Sequence, residues 1–119
     1  MNWEHLSRQS QLHDIDVLSE QHPVVIFKHS TSCSISGMAK LRLESSWNLD
    51  QINTYFLDLL QHRDLSNQIA EKYQVHHESP QLILIYKKEC IYDASHFDIS
   101  VSEITETLDY HKIPFTTSV

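Results

Sequence analysis

The chain has 119 residues and a formal net charge of −7, a length typical of one domain, which we expect to span residues 1–119. The negative charge argues against nucleic acids and membranes as partners, because both attract basic surfaces. No apolar run is as long as a membrane span and the first residues lack a secretory signal pattern, so we expect a cytoplasmic protein with free thiols at Cys33 and Cys90.

The first half of the chain predicts two helices around one buried strand. A helix over Ser10–Gln21 carries apolar residues at every third position. The residue before Pro23 avoids helical angles, which ends this helix. Four consecutive apolar residues then predict a strand over about Val24–Lys28 that is covered on both faces. After Cys33, apolar residues recur at intervals of four and predict a second helix that ends near Trp47.

The second half adds three predicted strands and two helices. The strands are Thr54–Leu60, Leu82–Tyr86 and Cys90–Tyr92, and the helices open at Asp64 and cover Val101–Lys112. The resulting order of a βαβ unit and a ββα unit is the layout of a thioredoxin fold, since short connections and right-handed crossovers leave few alternatives. We therefore predict an α/β thioredoxin fold, with a mixed central sheet of about four to five strands flanked by helices on both faces.

Cys33 is the main candidate for a reactive group. The small hydroxylic residues of the loop before it can turn the chain and cap a helix start, so Cys33 should lie at or next to a helix N-terminus. The partial positive charge there favours the thiolate, which is the nucleophilic form of cysteine. The alternative is a cysteine that only fills the core, but the flanking Ser32 and Ser34 argue against a dry environment.

Cys33 and Ser36 form a C-x-x-S motif, which predicts a monothiol mechanism. Cys33 would attack a disulfide and keep one half as a mixed disulfide, and an external thiol would release it, because Ser36 cannot form a disulfide. Lys28 and His29 could assist as cations near the sulfur. Alternatively, Lys28 ends the strand in solvent and His29 hydrogen-bonds the loop; the sequence leaves both alternatives open.

Ser79 and Pro80 directly precede the third main strand. In a thioredoxin fold, a proline at this place is cis and faces the active cysteine, and the preceding residue pairs with an extended substrate. Cys90 could serve as a resolving thiol, but we expect a structural or incidental role. A zinc site formed by Cys33 with His76, His77 and His96 is a weaker alternative, because no spacing in the sequence fixes its geometry.

Three motifs resemble the monothiol bacilliredoxin family, thioredoxin-fold proteins of the bacillithiol system in low-GC gram-positive bacteria. They are FKHSTSCSIS at residues 27–36, HESPQ at 77–81 and ASHFDI at 94–99. The resemblance implies that Cys33 removes bacillithiol from S-bacillithiolated proteins, with Ser36 as the second motif residue. It further implies a substrate-binding set of His29, Thr31, Ser32, Ser34, Ser79, Pro80 and Gln81. Ser95 and His96 match a family motif, but the resemblance does not assign them a role.

The resemblance also sets the expected partners. It implies no bound cofactor and no metal, bacillithiol as co-substrate, S-bacillithiolated client proteins, a small releasing thiol and a monomeric state. One departure is Ser34, where the family usually has proline; Ser34 keeps a main-chain N–H that could point at the thiolate. Two rival functions are an iron–sulfur cluster carrier of the monothiol glutaredoxin type and a non-catalytic thioredoxin-like binding module.

Overall fold

The computed structural model describes residues 1–118. Within these residues, four α-helices and seven strands follow one another. In chain order they are β1 (Trp3–His5), α1 (Ser10–Ser19), β2 (Val24–His29), α2 (Ser34–Ser46), β3 (Leu49–Asp50), β4 (Asn53–Asp58), α3 (Arg63–Lys72), β5 (Gln81–Tyr86), β6 (Glu89–Ser95), a short 3-10 helix (His96–Asp98), α4 (Val101–Tyr110) and β7 (Thr116–Thr117).

A mixed five-stranded sheet in the order β1-β4-β2-β5-β6 forms the centre of the molecule. The strands β1, β4 and β2 run parallel, while β5 is antiparallel to β2 and β6 is antiparallel to β5. The strand β2 is central and every one of its residues is buried, which explains its unbroken apolar run. The predicted mixed α/β thioredoxin fold is confirmed.

Alternate residues of β2 point into two separate cores. Val24 and Ile26 pack with residues of α1 and α3, whereas Val25 and Phe27 pack with residues of α2 and α4. This alternation follows from the two-residue period of a strand. Helices therefore cover both faces of the sheet, and consecutive residues at the end of β2 face different environments.

The hairpin between β5 and β6 turns without a glycine. Lys87 and Lys88 have φ values of 51° and 66°, as a two-residue type I′ turn requires at both central positions. Tyr86 and Glu89, the residues on either side of this turn, pair with each other, as a two-residue hairpin requires.

In residues 1–118, no helix combines the length and apolarity needed to cross a membrane.

Candidate active site

Cys33 is the N-cap residue of α2, where its backbone is extended with φ −103° and ψ 123°. Its N–H donates to the carbonyl of Ser30 at 3.1 Å, and its own carbonyl accepts the N–H of Gly37 at 3.1 Å. The side chain is partly exposed. The first N–H groups of a helix have no partner within the helix, so this thiol is accessible beside unpaired donors. The structure thus places Cys33 at the helix start, as predicted.

Ser36 holds the loop that leads to Cys33. Its side chain is fully buried, and its Oγ accepts the N–H of Ser30 at 3.1 Å and lies 2.7 Å from Nδ1 of His29. Burial, followed by the charge of Lys40, lowers the pKa of His29, which favours a neutral ring. The Ser36 hydroxyl thus contacts both His29 and Ser30 and fastens the start of the loop to α2.

The ring of His29 is buried among aromatic side chains rather than aimed at solvent. It stacks on Phe27 with centroids 5.9 Å apart and contacts Phe56 at 5.3 Å. Of the two alternatives for His29, the structure thus favours the hydrogen bond within the loop. Three further predicted substrate-binding residues, Thr31, Ser32 and Ser34, are exposed around Cys33. Ser34 is the first residue of α2, where the family proline would stand.

Lys28 is neither a surface residue nor part of the loop around Cys33. Its side chain is fully buried on the opposite face of β2 from His29. Its Nζ donates to the carbonyl of Ser66 at 3.1 Å and lies 3.2 Å from Nδ1 of His77. The alternative that Lys28 ends the strand in solvent is therefore wrong, and its described contacts are with Ser66 and His77 rather than with the loop at Cys33. Burial lowers the pKa of Lys28 from its ordinary 10.5 to about 8.

Replacing Lys28 with methionine should stabilise the fold at neutral pH. The difference between the folded pKa of about 8 and the ordinary 10.5 corresponds to an upper bound of roughly 3 kcal/mol against folding below pH 8. The carbonyl of Ser66 keeps its helical partner, and Nδ1 of His77 keeps the Ser66 hydroxyl at 3.3 Å. We therefore expect Lys28→Met to raise the free energy of unfolding at pH 7 by about 1–3 kcal/mol.

The pH dependence of that gain distinguishes a buried charge from a packing effect. The folded pKa lies below the unfolded one, so the native chain gains stability as the pH rises from about 8 to 10.5 and the lysine loses its proton. The advantage of Lys28→Met should therefore shrink across this range in urea titrations. If the difference in the free energy of unfolding between Lys28→Met and the native chain is constant from pH 7 to pH 10.5, burying the charge of Lys28 does not oppose folding.

Pro80 lies at the same end of the sheet as the Cys33 loop. The Ser79–Pro80 bond is cis, as predicted. The register pairs Lys28 with Gln81, and extending it by one residue places Pro80 opposite His29, the last residue of β2. The predicted nucleophile and the predicted substrate-facing proline therefore extend from adjacent ends of β2 and β5.

Gln81 fixes the segment before Pro80. Its Nε2 donates to the carbonyl of His76 at 2.9 Å, and its Oε1 accepts the N–H of Glu78 at 3.3 Å. The side chain of Gln81 is fully buried, so these bonds are shielded from water. The hydroxyl of Ser79 is also buried, and within residues 1–118 it has no hydrogen-bond partner.

The third motif adjoins the same end of the sheet. The N–H of His96 donates to the carbonyl of Pro80 at 3.0 Å, and the short helix His96–Asp98 packs against α2. The sequence left the role of Ser95 and His96 open. Their place at the end of β6 supports the backbone of Pro80.

Cys90 lies at the far end of the sheet. It pairs with Ile85, and Ile85 pairs with Val24, the first residue of β2. Cys33 instead lies in the loop that follows His29, the last residue of β2. The length of β2 is about 17 Å at 3.3 Å per residue, well beyond the 7 Å or so between Cα atoms that a disulfide tolerates. Burial raises the pKa of the Cys90 thiol to about 11.

Within residues 1–118, no three His, Cys, Asp or Glu side chains are grouped so as to hold a metal ion.

Comparison with known proteins agrees with this geometry. The family model described as Monothiol bacilliredoxin BrxC matches residues 4–104. A solved structure described as a candidate oxidoreductase with a thioredoxin fold is 33% identical, has a TM-score of 0.73, and shares a region covering 88% of this chain and 92% of that one.

Two thioredoxins show the fold at lower identity. A mutant thioredoxin from Halobacterium salinarum NRC-1 is 15% identical with a TM-score of 0.64, over 92% of this chain and 90% of that one. A thioredoxin from Malassezia sympodialis is 17% identical with a TM-score of 0.64, over the same 92% and 90%. The family and the fold together support a thiol-redox role of the oxidoreductase type. The chain belongs to the monothiol bacilliredoxin family.

Proposed function

We propose that this protein is a monothiol thiol–disulfide oxidoreductase that removes bacillithiol from S-bacillithiolated proteins through a mixed disulfide on Cys33. The observation that carries the proposal is the partly exposed thiol of Cys33 at the start of α2, with the second motif position occupied by the buried hydroxyl of Ser36. A side chain that cannot form a disulfide leaves the second step to an external thiol.

The reaction consists of two balanced exchanges. The Cys33 thiolate attacks the bacillithiol sulfur of the modified client, forming a bond to that sulfur while the client thiolate leaves. A small thiol, as its thiolate, then attacks the same bacillithiol sulfur, and Cys33 leaves as a thiolate. The products are a reduced client and a disulfide between bacillithiol and the small thiol. Bacillithiol is thus a co-substrate, and these two exchanges need no bound cofactor.

The substrate would contact the groups that surround Cys33 at this end of the sheet. These are Thr31, Ser32 and Ser34 of the exposed loop and helix start and the segment Ser79–Pro80 on the adjacent strand end, while the buried side chains of His29 and Gln81 support this surface from within. The buried hydroxyl of Ser79, unpaired within the described part of the chain, is a group that a docked substrate would satisfy. Exposed N–H groups in the first turn of α2, including that of Ser34, would favour negative charge on the sulfur. We expect the reaction in the cytoplasm, with the protein acting as a monomer.

Mass spectrometry of the reduced protein after exposure to oxidised bacillithiol, and separately to oxidised glutathione, tests the proposal. We expect one adduct per chain, mapped to Cys33, and faster formation with bacillithiol. An adduct on Cys90 or no adduct would refute the assignment of Cys33. Equal or faster reaction with glutathione would leave monothiol exchange intact but remove the preference for bacillithiol.

A further inference from the structure

Lys28 is a buried cation whose described partners are all neutral. Within residues 1–118, the acidic side chains that form ion pairs do so with other cations, whereas Lys28 bonds the carbonyl of Ser66 and the ring of His77. A buried charge of this kind opposes folding. A residue that lowers stability and touches the segment leading to Pro80 is a candidate for a functional role.

The contact fixes where the protons lie. An ammonium group donates hydrogen bonds and cannot accept them, so Nδ1 of His77, 3.2 Å from Nζ of Lys28, must be the unprotonated ring nitrogen. The buried hydroxyl of Ser66 lies 3.3 Å from the same atom and can donate as well. His77 is therefore neutral, carries its proton on Nε2, and is held between β2 and α3.

His77 anchors the segment His76–Ser79 through its side chain, just as Gln81 anchors it through the main chain. The two anchors are independent, since Gln81 bonds the main chain at His76 and Glu78 while His77 bonds groups of β2 and α3. Ser79 follows His77 by two residues and precedes Pro80. Gln81 therefore holds the main chain at His76 and Glu78, while the His77 ring fixes the same segment against β2 and α3 through Lys28 and Ser66.

We propose that Lys28 and His77 are positioning residues for disulfide exchange, and that the pair holds the segment His76–Ser79 in place as long as it carries no more than one excess proton, that is, one positive charge. A second proton would place two cations 3.2 Å apart, which would break the contact and release the segment. This inference rests on the proposed function, because it assumes that a client docks against Ser79 and Pro80.

The charges around the pair set the pH range of the release. Burial, then Lys28 on β2 and Arg63 on α3, lower the pKa of His77 below its ordinary 6.5, Glu78 acts in the opposite direction, and His76 adds to the lowering. The second proton therefore binds only in acid. On the alkaline side, a neutral amine at Lys28 still has N–H groups for both partners, so the segment remains anchored there.

A ratio of two rates isolates this effect from the ionisation of Cys33. The first rate is exchange with a short cysteine peptide that carries bacillithiol as a mixed disulfide, and the second is alkylation of Cys33 by iodoacetamide, which needs no docking segment. For the native chain, the ratio should be constant near neutral pH and fall as the pH drops below the ordinary histidine value of about 6.5. A ratio that stays constant over the whole acid range in which the chain remains folded would overturn the proposal.

Three variants test the assignment to His77 and Lys28. In His77→Asn, the amide oxygen replaces Nδ1 as an acceptor and cannot titrate, so the ratio should be near native at pH 7 and should not fall in acid. His77→Leu should lower the ratio at pH 7 about tenfold, since small misplacements of a docking group slow reactions strongly. Lys28→Met should fold and lower the ratio in the same direction. A native ratio in His77→Leu, or an unchanged acid fall in His77→Asn, would overturn the proposal.

Nitrogen NMR of the histidine-labelled protein supplies a measurement that does not depend on activity. At pH 7 the Nδ1 atom of His77 should be unprotonated, and a proton on Nδ1 would overturn the pair as described. The outcomes also separate the two proposals. Failure of the native chain to exchange with the peptide at any pH would refute the proposed function, whereas exchange with an unaltered pH profile in His77→Asn would refute only the positioning role.

Discussion

Replacing Cys33 with serine should reduce the release of bacillithiol from a modified client to the rate measured without protein. Serine keeps the size and the N-cap position of Cys33 but is not a nucleophile toward disulfide sulfur, and in the described structure Cys90 lies at the other end of β2. The measurement is the rate at which a free thiol appears on the client when the variant and a small thiol are both present.

The matched control is Cys90→Ser, which should release bacillithiol within about twofold of the native rate. Its thiol packs against the core and donates to the carbonyl of Tyr92 at 3.4 Å, a contact that a serine hydroxyl can replace. Loss of release in Cys90→Ser would give that thiol a redox role. A Cys33→Ser variant as active as the native chain would instead favour a binding module without this chemistry.

Replacing Ser36 with cysteine should convert the protein from a monothiol to a dithiol mechanism. The N-cap and third positions of a helix are three residues apart and share a face, with Cβ atoms about 5–6 Å apart in a regular helix, a separation that small adjustments bring within disulfide range. The mixed disulfide on Cys33 should then break down at least about a hundredfold faster without added thiol, since the attack is intramolecular. Nδ1 of His29 lies 2.7 Å from the side chain at position 36, within hydrogen-bond reach of the new thiol.

Intact mass follows this conversion directly. The native adduct should persist until a small thiol is added, whereas Ser36→Cys should lose the adduct and end two hydrogens lighter than its reduced form. The control Ser36→Ala should keep its adduct, with the free energy of unfolding lowered by about 1–3 kcal/mol because buried partners of the hydroxyl become unpaired. An adduct on Ser36→Cys that lasts as long as the native one would show that the buried position cannot reach Cys33.

Much of the fold could be predicted from the sequence because its strongest signals are local. The apolar run of β2, bounded by Pro23 and the polar loop after it, marks a strand buried on both faces, and the position of Cys33 follows from the loop and the helical spacing beyond it. The edge strand β1 was not predicted, since Trp3 is only partly buried, Glu4 and His5 are exposed, and the strand is ordered mainly by pairing with β4. The two-residue strands β3 and β7 depend in the same way on each other.

The surroundings of Lys28 could not be predicted from the sequence. A lysine at the end of an apolar run normally extends into water, and nothing local indicates that Ser66 and His77, which are 38 and 49 residues away, supply its acceptors. The sequence signal that existed was the period of the strand, which places Lys28 and His29 on opposite faces. This period indicates that Lys28 and His29 cannot share a role. It does not indicate which residues each side chain contacts.

The central claim is that Cys33 itself takes the bacillithiol from a client, and a single-turnover transfer with mass balance tests it most directly. Reduced protein is mixed with an equal amount of a singly S-bacillithiolated client, without other thiols, and both are weighed intact and mapped as peptides over time. We expect the client to lose one bacillithiol at the rate at which this protein gains one on Cys33. A client that keeps its bacillithiol, or loses it while Cys33 stays unmodified, would contradict the account.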